Sequence, residues 1–450
     1  MNRSDNVLAY LDNGVFAQHS AVGRNNVIQV LWLYEHEIDF DAVRRFHHNL
    51  GYGLLGRRIE RSPLPFARPR WVLDRGPAEI DIDDRPRSRA ELSEWADERS
   101  QLTIDAERGP SWHLGMVGLE GGATAVSLVL SHYVIDGLGL VLALIDGMLG
   151  NKHAFGYPPP RSRPRIRAVL QDLRQTARDT PEVARALMLA AKLARSQRGE
   201  GAGSAAAAAP AAPPVGRGDD PIVVPGVTVR VDRKDWEVRA AGLGGTSTTL
   251  CAAFSAKFGE SLGRRRADDG FVTLQLPVSQ RTEGDTRSHA MSFARATLDP
   301  SILTTDLGDA RSTIKQALSS LEETAADDPL RVAWLVPFMS AKALRRMEER
   351  TVADPDYPVF YSNLGDVGSL VNRLDGTDAE FATARVTTQG ETRRNLERMG
   401  GLMTVQSLYI PDTVVISVNA YHPGAENTKS ALRQLAAKTL AEFGLTGTVE

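Results

Sequence analysis

Residues 123–149 read ATAVSLVLSHYVIDGLGLVLALIDGML. The first nine are small, β-branched or leucine-like and carry no charge, the composition of a buried strand. The last thirteen, from Gly137 on, are apolar at almost every position and predict a largely buried helix over 137–149. Between them, Ser131-His132-Tyr133-Val134-Ile135-Asp136-Gly137 marks the passage from strand to helix. A histidine there is held at a rigid strand end with its ring free to face a cleft, and neutral imidazole near pH 7 is a good general base. Asp136 stands where a carboxylate complements a helix N-terminus and can pair with an arginine. Gly137 allows a tight turn and close backbone approach. On spacing alone, His132 fits a satisfied core histidine beside a turn equally well.

Working outward, residues 113–119 predict a strand joined to 123–131 by the turn Gly121-Gly122. Residues 27–34 (VIQVLWLY) predict another, and 39–49 a helix with Phe40, Val43, Phe46 and His47 at helical spacing. Ala, Gly and Pro crowd 199–225, the composition of a linker or mobile loop. Beyond it, 227–231, 271–277, 358–362, 402–409 and 413–419 predict strands. Residues 247–262, 311–322 and 430–443 predict helices, the first with Thr246 or Ser247 as N-cap. Both halves mix strands and helices without regular βα alternation, which favours an α+β fold in three regions: 1–160, 161–225 and 226–450.

The chain has 450 residues, with 53 Lys and Arg against 56 Asp and Glu, a net charge of −3. That balance argues against a nucleic-acid partner. Cys251 is the single cysteine, so an internal disulfide framework, a multi-cysteine zinc site and an iron–sulfur cluster are excluded. His47-His48 gives no metal site, because adjacent helical residues diverge and no third ligand is near. The first twenty residues hold two Asp and no apolar run of a secretory signal. The longest uncharged stretch about the apolar centre, 121–135, is shorter than the roughly 20 residues a membrane span needs. The expectation is a cytoplasmic protein. Segment 161–198 stands apart, with ten Lys and Arg against three Asp and Glu, a net +7 that leaves −10 for the rest. Val169, Leu170, Leu173, Leu187, Met188, Ala191 and Ala194 offer it an apolar side. Such a helix suits an anionic membrane surface or an acidic carrier protein; a solvated helix pair packing on its own domain is the other reading.

Other chemistry-bearing residues are fewer. His289 follows a strand and the Gly284-Asp285 turn, and can face His132 or sit in a loop. Ser362 and Asn363 end an apolar strand and can donate to an oxyanion or cap the strand end. Arg281 fits an ion pair or a substrate contact. Arg264-Arg265-Arg266 suits a helix C-terminus or the phosphates of a ligand. There is no Gly-x-Gly-x-x-Gly after a strand, no Walker A sequence and no Gly-x-Ser-x-Gly elbow.

The run Pro110-Ser111-Trp112-His113-Leu114, the Gly121-Gly122 turn and the 126–149 stretch resemble the bacterial wax ester synthase/diacylglycerol acyltransferase family, within the condensation-domain superfamily of acyltransferases, whose signature is HHxxxDG. Leu11-Asp12, Arg68-Pro69-Arg70-Trp71-Val72, Leu276-Pro277-Val278-Ser279-Gln280-Arg281 (like VPVSxR) and Tyr361-Ser362-Asn363-Leu364-Gly365 (like SNxxG) extend the likeness over nearly the whole chain. The resemblance implies two chloramphenicol acetyltransferase-like lobes, 1–160 and 226–450, with a channel between them. It implies His132 as the base that deprotonates a hydroxyl or amine acceptor attacking an acyl thioester, with Asp136 pairing with Arg281. Ser131, Ser362, Asn363 and His289 become candidate channel or oxyanion contacts, and acyl-CoA or an acyl carrier protein is a substrate, with no cofactor or metal. Ser131 replaces the first motif His, Thr248-Thr249 an Asn-Asp pair and Ser288-His289 a Gly-Asn pair. Three readings stay open: an acyl-CoA O-acyltransferase, a carrier-protein-dependent condensation enzyme, and a catalytically silent lipid- or partner-binding relative.

Overall fold

A computed structural model describes residues 6–200, 221–323, 328–352 and 356–450; most of the Ala/Gly/Pro-rich stretch, 201–220, lies outside the described residues. Two sheets organise the molecule. The first runs, in spatial order, Phe381–Gln389, Asn25–Tyr34, Thr124–Ser131, Trp112–Leu119 and Asp81–Arg87. The second runs Thr448–Val449, Gly226–Asp232, Thr413–Tyr421, Leu402–Ile410, Val359–Asp366, Val272–Ser279 and Met291–Leu298. The α+β, two-lobed expectation is met, each lobe carrying its own sheet.

In the first lobe Asn25–Tyr34 and Thr124–Ser131 are antiparallel neighbours, with Val27 opposite Ser131 and Tyr34 opposite Thr124. Both are buried almost throughout, which explains their near-continuous apolar sequences. Helix Gly137–Leu149 follows directly. Asp136 caps it by accepting from Gly139 N at 2.8 Å, and Gly150 ends it in the left-handed region at φ 74°. It packs on helix Phe40–Leu50, which Asp39 caps through Asp41 N and Ala42 N. Contact is close enough that a Cβ on Gly147 would stand 3.0 Å from the Phe46 ring.

The second lobe is built around helix Ser247–Ser261, capped by Thr246, whose Oγ1 accepts from Thr249 N at 3.2 Å. Leu250, Phe254 and Phe258 pack among Val272, Leu274, Val405 and Ile416. Cys251 lies in the same core, and burial pushes its thiol up to about 11.

Hydrogen bonding does not follow chain order at one place. Strand Phe381–Gln389, from the second half of the chain, pairs antiparallel with Asn25–Tyr34, Asn25 opposite Gln389 and Leu33 opposite Phe381. Its Thr383 Oγ1 also meets Ser417 Oγ of the second sheet at 2.7 Å. Leu408, Ile410 and Val415 of the second sheet join the core that holds Val30, Trp32 and Leu128 of the first. Segment 161–198 forms one helix, Arg165–Glu200, rather than a pair. Among the described residues no helix is long and apolar enough to cross a membrane.

Candidate functional site

His132 leaves the end of strand Thr124–Ser131, where its backbone N–H donates to Asn26 O at 2.9 Å. Its Nδ1 lies 3.0 Å from Ile135 O. A carbonyl can only accept, so Nδ1 carries the proton and Nε2 keeps its lone pair. Burial first, and the neighbouring His289 second, pull the imidazole down to about 4. The ring is therefore neutral at pH 7, with a basic nitrogen of fixed identity.

His289 faces it. The two rings lie parallel, 5.3 Å between centroids and 13° between planes. His289 Nδ1 is 3.1 Å from Ser288 Oγ and 3.6 Å from Asp12 Oδ1. Asp12, on helix Tyr10–Val22, is fully buried and accepts from Ser288 N at 3.0 Å and His289 N at 2.8 Å. Burial by itself raises this carboxyl, yet the His289 ring and the two N–H groups outweigh it and hold the pKa below the ordinary value. The sequence marks Leu11-Asp12 but assigns Asp12 no role.

Asp136 is the junction between lobes. Besides its cap to Gly139, its Oδ2 accepts from Arg281 Nη2 at 2.7 Å and from Ala290 N at 3.0 Å, both of the second lobe. The ion pair is almost wholly buried. Arg281 also donates to Asp285 O at 3.0 Å and Arg287 O at 2.9 Å, so one guanidinium ties the 281–290 loop to the motif. Arg57 does the same from the other side. It is fully buried, donates to Val134 O at 2.7 Å, Tyr157 Oη at 2.9 Å and Thr286 O, and lies 3.9 Å over the Trp71 ring. No local signal distinguishes Arg57 from Arg58 beside it in the sequence, where an arginine reads as a surface cation.

Gly137 does not use glycine's turn freedom, since its φ is not positive. What bars a side chain is the second lobe: a Cβ would stand 2.7 Å from Leu364 Cδ2. Ser131 is buried, and its Oγ accepts from Tyr133 N at 3.3 Å, a turn contact rather than a cleft contact. Asn363 is engaged internally: Oδ1 accepts from Gly365 N at 2.9 Å and Ser407 Oγ at 3.1 Å, and Nδ2 donates to Thr248 Oγ1 at 3.2 Å. Ser362 beside it is half-buried. The three consecutive arginines have internal partners: Arg264 donates to Tyr357 O and Pro358 O, Arg265 pairs with Glu260 and Arg266 with Asp268. Burial draws Arg264 down to about 10.

A cavity of about 610 Å³ opens near the start of strand Asn25–Tyr34, with Arg24, Arg345, Arg394, Asn395, Arg398 and the carboxylate Glu391 on its wall; neither His132 nor His289 lines it. Tyr133 Oη bonds Arg24 O at 3.1 Å and accepts from Asn26 N at 3.1 Å, which places this wall beside the backbone that holds His132. No group of three or more His, Cys, Asp or Glu capable of holding a metal occurs among the described residues.

No protein-family model matches the sequence, and no curated protein does. Solved structures do. The first condensation domain of the CDA synthetase superposes with a TM-score of 0.53 at 15% identity, covering 98% of this chain and 96% of that one. A wax ester synthase/diacylglycerol acyltransferase from Marinobacter aquaeolei VT8 gives 0.54 at 13% identity, covering 98% and 100%. Polyketide synthase associated protein 5 from Mycobacterium tuberculosis gives 0.53 at 16% identity, covering 98% and 99%. The likeness is one of fold along essentially the whole length: the chain has the two-lobed architecture that condensation domains and this wax ester synthase share.

Proposed function

We propose that the protein is an acyltransferase in which His132 is the general base. One observation carries the reading: the Ile135 carbonyl holds the proton on Nδ1 and leaves Nε2 of His132 as the free base. The acceptor hydroxyl attacks the carbonyl carbon of an acyl thioester. Its proton passes to Nε2 as the C–O bond forms, then to the departing thiolate as the C–S bond breaks. No covalent acyl-enzyme is needed when both substrates are held together. Asp136, Arg281 and Arg57 hold the motif in place, and burial first, with the stacked His289 second, keeps the base neutral. Ser362 is the remaining candidate oxyanion donor.

The donor is acyl-CoA and the acceptor a long-chain alcohol, a diacylglycerol or a related alcohol. The arginine-lined cavity beside the motif supports a phosphorylated donor, since guanidinium groups pair well with phosphate. The likeness to a condensation domain supports a second reading, an acyl or peptidyl donor carried on a carrier protein with an amine or hydroxyl acceptor. The test is thiol release from acyl-CoAs ranging from acetyl to stearoyl, and from acyl-loaded carrier protein, with and without a long-chain alcohol and a diacylglycerol. Wild type is run beside His132→Ala. Acceptor-dependent release that disappears in the variant supports the proposal and identifies the donor. Binding of acyl-CoA without turnover, unchanged in the variant, replaces it with a silent lipid-binding relative.

A further inference from the structure

Helix Arg165–Glu200 departs from an ordinary surface helix in burying its acidic residues while exposing a second apolar stripe. Its acidic residues face the protein. Asp172, almost fully buried, accepts from Ser62 Oγ at 2.6 Å, Arg163 Nη1 at 2.8 Å and Arg70 Nε at 3.0 Å. Asp179 takes both arms of Arg68, at 3.0 and 2.9 Å, and Glu182 takes Arg331 at 3.0 Å. The apolar residues buried on this side are small, Ala168 and Ala186.

Val169, Val183, Leu189 and Leu193 are half-buried, whereas five other large apolar side chains face outward. Ile166 is 78% exposed, Leu170 51%, Leu187 63% and Met188 66%, with Leu173 beside them. With exposed Ala177, Ala184 and Ala191, the positions recur at three, four or seven residues and form one stripe. One residue further round, at 167, 174, 178 and 185, runs a row of arginines. Arg185 pairs with Glu182, whereas Arg167, Arg174 and Arg178 make no ion pair with any described residue.

We propose that this outward face docks the protein on an anionic lipid bilayer. The stripe from Ile166 to Ala191 is about 38 Å long at ~1.5 Å per residue, a line suited to a plane rather than to a pocket. Leucine, isoleucine and methionine enter the boundary between headgroups and acyl chains, and the arginine row lies against the phosphates. The net +7 of segment 161–198 on a chain that is otherwise negative supplies the sign that anionic headgroups require. A second copy on the same face would bring two arginine rows together, so charge disfavours self-association. The inward ion pairs hold the helix to the body, so docking does not require it to detach.

The experiment is flotation of the full chain with vesicles of phosphatidylcholine alone, and with about a third of the lipid replaced by phosphatidylglycerol, at low and high salt. Two variants accompany wild type: Leu170→Glu/Leu187→Glu and Arg167→Glu/Arg174→Glu/Arg178→Glu. All these positions are exposed, and circular dichroism melts confirm folding. Wild type should float with the anionic vesicles, on the order of tenfold less with neutral ones, and less at high salt. Both variants should lose that binding. Equal flotation on both vesicle types, or none, overturns the proposal. So does a concentration-dependent dimer, or capture of an acidic carrier protein, that the variants abolish while vesicles bind nothing. The acyltransferase reading is tested separately by thiol release in solution.

Discussion

The imidazoles of His132 and His289 lie face to face, 5.3 Å apart, although 157 residues of chain separate them. A charge on one ring disfavours a charge on the other, so the pair sets the protonation of the site. His289 Nδ1 also lies 3.6 Å from Asp12 Oδ1, while burial first and the stacked ring second lower His132 to about 4.

The pH dependence of turnover follows from that stack. A base must be neutral to act, and His132, the proposed base, is held at about 4, so kcat/KM should be flat through neutrality and fall only below about pH 5. Replacing the neighbour by His289→Gln removes the second of the two causes that lower the His132 pKa and leaves burial in place. The acid limb should then move to higher pH while the plateau persists in part. A midpoint that stays where it was would separate His289 from the base.

His132→Ala should lower turnover by about 10²–10⁴. Its melting temperature should stay close to wild type, because the buried contacts of the motif run through Asp136 and Arg57 rather than through this ring. A comparable loss from Ser131→Ala would be unexpected, since Ser131 serves only the turn to Tyr133.

The Asp136–Arg281 pair predicts a non-additive stability cycle. Removing either partner leaves a buried charge uncompensated, which typically costs about 3–5 kcal/mol. Asp136→Ala and Arg281→Ala should each show that loss in urea unfolding. The double variant should lose clearly less than the sum. Additive losses would mean that the two groups act independently.

Gly137→Ala tests the contact between lobes. The added methyl meets the end of a leucine side chain, which can shift, so the expected cost is about 1 kcal/mol. Leu364→Ala in the same chain should recover part of it. If it recovers none, the constraint at Gly137 lies in its own backbone.

Acid should destabilise the fold before carboxylates titrate. Burial holds His113 and His132 at about 4 in the folded state, below the ordinary histidine value, so between pH 6.5 and 4 the unfolded chain binds protons that the native chain refuses. Stability is full above pH 6.5 and declines as pH falls, by about 2 kcal/mol per histidine at pH 5. Urea unfolding at pH 7 and pH 5 measures this, and His113→Asn should make the drop smaller by about 2 kcal/mol.

Much of the fold was legible because its signals are local. The strand 123–131, the cap at Asp136, the helix 137–149 and the lone His132 between them depend on neighbours within a few residues. Apolar periodicity and capping chemistry report such features directly. The α+β character of both halves and the outlier charge of 161–198 were equally readable. The tertiary structure decided what distance in sequence hides. Strand Phe381–Gln389 is not among the strands the sequence predicts, and only pairing with Asn25–Tyr34 assigns it to the other lobe's sheet. Asp12 reaches Ser288 across 276 residues, and Arg57 reaches Thr286 across 229. Helix Arg165–Glu200 could be recognised as basic and amphipathic, but not which face would turn outward. Its acidic residues find arginines on distant strands and loops, and those ion pairs, rather than the apolar stripe, orient it. Local chemistry thus singled out His132 as the candidate base, and long-range packing chose the contacts of the motif and the surface the protein presents.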